Sequence, residues 1–440
     1  MSARYPADLA KHVARRISFP PLAVLVELFE VMYFASLKSE EAESISCRVA
    51  FVKREDPDPE PPGRKVKDRW QCFALKNDLP FTVRTLVKIS KAVDPWTSTL
   101  AVDTDSGGQL RIWGLIDQSV HYNTFVMKET DSGAEMPGIF QAAIQGVGDI
   151  GAYRRYVFLG ALRQDTLVTK QQRVLQNGPI RNKLIPSIEK FQRTVAEGVG
   201  RSQYLVRDHW DQSLEWEWIS ALCRILIGIR RYGHGGAVLI SDGHDALKPK
   251  YSLDYPRLAE SLLHAGILAV QKTSFSDVIH EEYLEHDDLN DLPIDIYLDE
   301  CVTGNELEET QDEITGCIRF ISSLSRVDGL IWLKHDLSLQ GFGVEITSKK
   351  EPKMVFRAED SAGLNTTKID MNHFGTRHRS MIRHCAADQG SVGFVVSQDG
   401  DVRAISSVDE KVILWEEIRL LSLHNAKTTK AKKKRKKRQC

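Results

Sequence analysis

Between Leu214 and Val396 the spacing of apolar residues changes period repeatedly, and this alternation restricts the fold more than any single motif. Leu214 to Arg231 carries apolar residues at helical spacing and stops at Gly233-His234-Gly235-Gly236, a run suited to a helix C-cap. Ala237 to Ser241 reads as a short apolar strand, Pro256 to Val270 as an amphipathic helix, and Ile314 to Ser325 as another. Val327 to Leu333 then reads as a buried strand, and Leu337 to Ile346 as its hairpin partner around His335-Asp336. The apolar run Val392 to Val396 follows. Helices alternating with short apolar strands predict an α/β fold, with one sheet carrying helices on its faces. No internal repeat stands out.

The first part of the chain has a different texture. Leu22 to Leu37 is helical in spacing with Pro21 near its start, and 55–68 is a polar, proline-rich loop. Strand-like segments follow at Trp70 to Leu75, Thr99 to Val102, Leu110 to Leu115, Thr124 to Met127 and Ile139 to Ile144. They predict a smaller α+β domain over 1–165 with an antiparallel sheet. A helical connector is expected over 166–213, containing Pro186 to Glu197, and the alternating domain over 214–410. The stretch 411–440 is expected to be a C-terminal helix and a disordered basic tail. A chain of 440 residues has room for two or three domains, each with its own core.

Charge and cysteine usage exclude several classes. The formal net charge is −1, so no global field draws nucleic acid or membrane. Residues 273 to 318 hold no Lys or Arg, and 273–313 reads as an acidic insertion. Lys432 to Arg438 are all basic; such a tail binds RNA or anionic surfaces non-specifically and in a salt-dependent way, or is neutralised by the acidic segment. Seven scattered cysteines without CxxC spacing argue against a disulfide framework or zinc site and for a reducing, cytoplasmic location. The apolar run Phe19 to Leu37 is interrupted by Pro20, Pro21, Glu27 and Glu30, so it reads as a buried helix, not a span.

The candidate chemistry lies in His373 to Arg383, HFGTRHRSMIR. Arg377 and Arg379 flank His378, directly after Gly375 and Thr376. Two guanidinium forks around one imidazole suit a polyphosphate, the glycine lets backbone approach an anion, and the threonine adds a hydroxyl donor. Taken alone, the cluster reads better as an ordinary basic helix start. About fifty residues upstream, Asp328-Gly329 opens a strand. A carboxylate there can bind Mg²⁺ or Mn²⁺, and the glycine removes bulk where a nucleotide would lie; taken alone, Asp-Gly is a turn. Three other signals are set aside. Gly146 to Gly151 fits GxGxxG but is followed by the strand-like Tyr156 to Leu159, so it reads as a hairpin turn. His373, His378 and His384 lack the spacing of a metal-binding helix face, and Gly233 to Gly236 lacks the Lys-Ser/Thr of a phosphate loop.

The two motifs together resemble the diadenylate cyclase (DAC) domain, whose hallmarks are an Asp-Gly-Ala strand and a Gly-Thr-Arg-His-Arg helix start. The order of elements is similar over roughly 214–408. It closes on Val395-Val396-Ser397-Gln398, where many relatives carry Ser-Glu and the DNA-integrity-scanning members carry Gln. The resemblance implies a DAC-type mixed β-sheet flanked by helices that condenses two ATP molecules into cyclic di-AMP and two pyrophosphates. Each 3′-hydroxyl attacks the α-phosphate of the other ATP, so the chain would self-associate with two sites face to face. Asp328 would be catalytic and hold the Mg²⁺ or Mn²⁺. Gly329, Leu330, Gly375, Thr376, Arg377, His378, Arg379, Ser397 and Gln398 would line the ATP. Two departures stand out: Leu330 replaces the family's alanine, with carbon enough to crowd the pocket, and the acidic segment is longer than the family's. A catalytically attenuated nucleotide sensor of the same fold is the alternative. Tyr5 to Ala10, Leu79 to Thr82 and Ile112 to Ile116 resemble the probable sensor domain DACNV, found fused to such cyclases, whose ligand the resemblance leaves unknown.

Overall fold

The computed structural model describes residues 4–41, 43–58, 70–93, 98–117, 139–154, 157–200, 210–243, 245–280, 293–397 and 401–420. The chain is α/β, with helices and two large mixed sheets. It divides into two compact units between Lys170 and Gln171.

The first unit contains α1 (Pro6–Ala14), α2 (Leu22–Ser36) and α3 (Val83–Ile89). Its strands are β1 (Ser39–Glu40), β2 (Glu43–Ser44), β3 (Cys47–Phe51), β4 (Gln71–Pro80), β5 (Ser98–Thr104) and β6 (Leu110–Asp117). They continue with β7 (Phe140–Gly146), β8 (Asp149–Arg154), β9 (Val157–Arg163) and β10 (Thr166–Val168). Eight of them form one sheet in the order β10-β9-β8-β7-β3-β5-β6-β4, while β1 and β2 pair separately. Period-two alternation splits its side chains: Val49, Leu100 and Ile112 join Leu28, Phe29 and Leu86 of the helices, while Ala50, Ala101 and Trp113 form a cluster with Trp70. The expected antiparallel sheet is corrected at one place, because β3 and β5 run parallel. The chain between them traverses β4 and α3, which gives the length a parallel return requires. Gly146 to Gly151 is the β7–β8 hairpin, with Gly148 at φ +71°, so no helix follows to receive a pyrophosphate. The expected strand Thr124 to Met127 lies outside the described residues.

The second unit contains α4 (Pro179–Val199), α5 (Trp210–Arg231), α6 (Arg257–Val278), α7 (Ile294–Ser323) and α8 (Thr376–Ala387). Its strands are β11 (Gly236–Ile240), β12 (Leu247–Tyr255), β13 (Leu330–Leu333), β14 (Leu339–Ile346) and β15 (Val355–Ala358). They continue with β16 (Thr366–Ile369), β17 (Val392–Val396), β18 (Val402–Val408) and β19 (Lys411–Trp415). The sheet order is β12-β14-β13-β11-β17-β18-β19-β15-β16, with β11–β13 and β15–β19 parallel. One face packs Val238, Ile331 and Phe394 against α4 to α7. The other packs Ala237, Leu330, Val395 and Ile405 against Met381, Ile382 and Cys385 of α8. The middle of α5 is buried all round from Ala221 to Ile227, as a helix enclosed by others must be.

Three boundaries move. Ile180, Leu184 and Ile188 of α4 belong to the second unit's core, so the described part of the expected connector from Gln171 on belongs to that unit, while Thr166–Val168 is β10 of the first. The acidic stretch 273–313 runs through the end of α6 and most of α7, two helices packed together; 281–292 lie outside the described residues. The helix expected after residue 410 is strand β19. Asp409 and Glu410, at φ +48° and +62°, make a tight turn that folds Lys411 back onto Val408. The basic tail lies outside the described residues.

Candidate functional site

The register of the central strands brings the two motifs to one edge of the second unit's sheet. Val238 pairs with Ile331 in parallel, which sets Gly329 level with Gly236; Gly236 in turn pairs with Val396. The residues before β11 and β13 and the residue after β17 therefore share one edge, placing His234, Asp328 and Ser397 there together. The start of α8 reaches the same place. Arg377 Nη2 lies 3.7 Å from Asp328 Oδ1, and Arg377 Nη1 donates to the His234 carbonyl at 3.3 Å.

Asp328 follows the 3₁₀ turn Leu324–Arg326 and lies two residues before β13, so the strand expected from Val327 begins only at Leu330; the Asp328 side chain is 93 % exposed. Gly329 has φ +121°, and a Cβ there would sit 2.4 Å from the Gly343 carbonyl carbon on β14. Its missing side chain thus makes room for the chain's own backbone, where the sequence reading left room for a nucleotide. Leu330 is corrected more sharply. It is 5 % exposed and packs in the cluster with Val344, Met381 and Ile382, beneath α8 and away from the open edge.

The start of α8 has the geometry that can seat an anion. Gly375 is its N-cap in extended conformation, and no side chain caps it. The amides of the first turn are therefore left to bind an anion at the positive end of the helix dipole. Gly375, Thr376 and Arg377 are exposed, while Arg379 is half-buried and its Nε has no hydrogen-bond partner among the described residues. The exposed Asp328–Arg377 pair contributes at most about 1 kcal/mol, so the fold scarcely depends on it. His378 turns inward: it is 9 % exposed, its ring centroid lies 5.5 Å from that of Phe374, and its Nε2 lies 3.0 Å from Arg403 Nη1. Ser397 is half-buried at the end of β17, and its amide donates to Asp401 O at 2.8 Å; Gln398 lies outside the described residues. Arg403 and the His234 carbonyl are partners that sequence reasoning missed. The first carries no motif, and the second was read only as a helix stop.

The three histidines grouped in sequence separate in space. His373 is exposed beside Asp370, and His384 is fully buried, 3.7 Å from Asp388. Among the described residues, no group of three or more His, Cys, Asp or Glu side chains could hold a metal ion. Asp328 alone at this edge fits a Mg²⁺-type cation only with a ligand's phosphate oxygens completing the shell, which is how such ions are commonly bound. No described helix is long and apolar enough to cross a membrane.

Residues 15–117 match the family model described as the probable sensor domain DACNV, a span running from the end of α1 to the end of β6. No curated protein and no solved structure matches the chain.

Proposed function

We propose that the second unit is a diadenylate cyclase that condenses two ATP molecules into cyclic di-AMP, under control of the first unit. The observation that carries this reading is the approach of Asp328 to Arg377 at an uncapped helix start. The match of 15–117 to DACNV supports it, since that module typically precedes diadenylate cyclase domains.

Catalysis of phosphoryl transfer is mainly positioning and charge stabilisation. The first-turn amides of α8, with Thr376, Arg377 and Arg379, hold the triphosphate and spread its charge. Ser397 borders the nucleotide. Asp328 would hold a Mg²⁺ or Mn²⁺ ion, which would supply Lewis-acid polarisation and templating. The 3′-hydroxyl of one ATP attacks the α-phosphate of the other; its proton passes to solvent, a P–O bond forms there, and the bond to pyrophosphate breaks as pyrophosphate leaves with the bonding pair. Two such steps close the ring, so two chains bring their edges together.

Purified protein incubated with ATP and Mn²⁺ should yield cyclic di-AMP, and Asp328→Ala should abolish the product while keeping the fold, because that side chain is solvent-exposed. No product from the wild type, under conditions where an established diadenylate cyclase works, overturns the reading. Tight ATP binding without turnover would instead make this unit a nucleotide sensor.

A further inference from the structure

Arg403 lies on β18, paired across to Val395, and its role is set by what holds it. Asp401, whose side chain is 4 % exposed, lies 2.7 Å from its Nε, and Glu416 lies 3.3 Å from the same atom. Asp401 is itself fixed by the Glu417 amide at 3.1 Å. The guanidinium sits over the Phe374 ring at 5.8 Å and reaches His378 Nε2 at 3.0 Å. A guanidinium has five N–H donors, no acceptor and no accessible deprotonation. Arg403 therefore donates, His378 Nε2 carries its lone pair, and the ring proton is on Nδ1. Burying the Asp401 carboxylate beside a largely covered arginine is costly compared with apolar packing, so stability alone does not explain the arrangement. The ring it grips belongs to the first turn of α8, between Arg377 and Arg379.

We infer that Arg403 is a positioning residue for the nucleotide site, holding His378 neutral, in its Nδ1–H tautomer and in one ring orientation. The Phe374–His378–Arg403 stack then fixes the entry of the chain into α8, and with it the direction of the amides that face the anion. The ligand's identity rests on the function proposed above; the tautomer does not.

The test uses the full chain labelled with ¹⁵N-histidine and free of nucleotide. Long-range ¹H–¹⁵N correlations should show the Nδ1–H tautomer at His378, assigned by its loss in His378→Asn. Arg403→Met should convert that signal towards the Nε2–H form and weaken binding of a non-hydrolysable ATP analogue by about tenfold, the scale of one charge-assisted hydrogen bond. Arg403→Lys, which keeps a donor, should recover part of both. An Nε2–H signal in the wild type, or an unchanged tautomer in Arg403→Met, overturns the inference whatever the ligand proves to be. So does a variant that melts earlier yet binds the analogue as tightly as the wild type. Failure of the wild type to bind the analogue refutes the nucleotide reading, and with it the service Arg403 performs, while the tautomer signal stands apart from that failure.

Discussion

Leu330→Ala separates two accounts of the position where this chain departs most from the Asp-Gly-Ala pattern. If the leucine crowded a nucleotide, alanine would raise affinity or turnover. The structure instead buries Leu330 to 5 % exposure among Val344, Met381 and Ile382. Leucine to alanine removes three carbons, and at roughly 0.8 kcal/mol per buried carbon the transfer loss alone is about 2.4 kcal/mol. The cavity left between sheet and helix adds to it, and measured Leu→Ala costs span about 2–5 kcal/mol. A loss of about 3 kcal/mol is therefore expected, lowering the melting temperature of a unit of this size by roughly 6–12 °C. Thermal unfolding of Gln171–Leu420 within the full chain reads this, followed by tryptophan fluorescence, since Trp218 and Trp415 lie in that core. Leu330→Met conserves volume and should cost less than about 1.5 kcal/mol. An alanine variant as stable as wild type, or one that binds ATP several-fold more tightly, would mean that Leu330 faces the ligand.

Two further substitutions test the frame around the site. Gly329→Ala forces a side chain into φ +121° and against the Gly343 backbone at 2.4 Å, so it should lose about 3 kcal/mol or more in urea unfolding; wild-type stability would contradict the β13–β14 geometry. Asp388 offers a pH test: burial alone would raise its pKa, but the His384 ring at 3.7 Å and the Ser241 hydroxyl at 2.7 Å outweigh it and hold the carboxyl at about 2. Because the folded pKa is depressed, the stabilisation, on the order of 2 kcal/mol, is complete above the unfolded value near 3.8 and lost as pH falls towards 2. Ser241→Ala should raise that pKa and shift the acid limb of unfolding to higher pH, whereas an acid limb superimposable on wild type would remove Ser241 from the account.

The elements that position the site were legible where the signal is local. The helix stop at Gly233, the hairpin between β13 and β14 and the strand β17 each rest on a period or a turn residue within a few positions. What escaped depends on partners distant in sequence. Val355–Ala358 is four residues long, and besides its nearby partner Thr366–Ile369 it is tied into the sheet by pairing with Val412–Trp415, more than fifty residues on. Lys411–Trp415 is too short for its period to tell helix from strand; the left-handed pair Asp409–Glu410 decides it. Arg403 escaped for the same reason, since only the β17–β18 register and the packing of α8 bring it to His378.

Gly329 and Leu330 show where motif reading and packing part. Both sit in the segment read as nucleotide contact, yet each is fixed by the protein's own atoms, one by the Gly343 backbone and the other by the underside of α8. The groups left facing solvent, Asp328, Thr376 and Arg377, contribute little to the fold. The edge thus has two layers, an outer one that can change without unfolding the chain and an inner one that cannot. Changes in the outer layer should alter ligand binding at constant melting temperature, and changes at Gly329 or Leu330 should do the reverse. Arg403 joins the layers, because its carboxylate anchor Asp401 is in the interior and its donor ends on a ring of the first turn of α8. It is the position where loss of stability and loss of binding should coincide, and where the His378 tautomer tells the two causes apart.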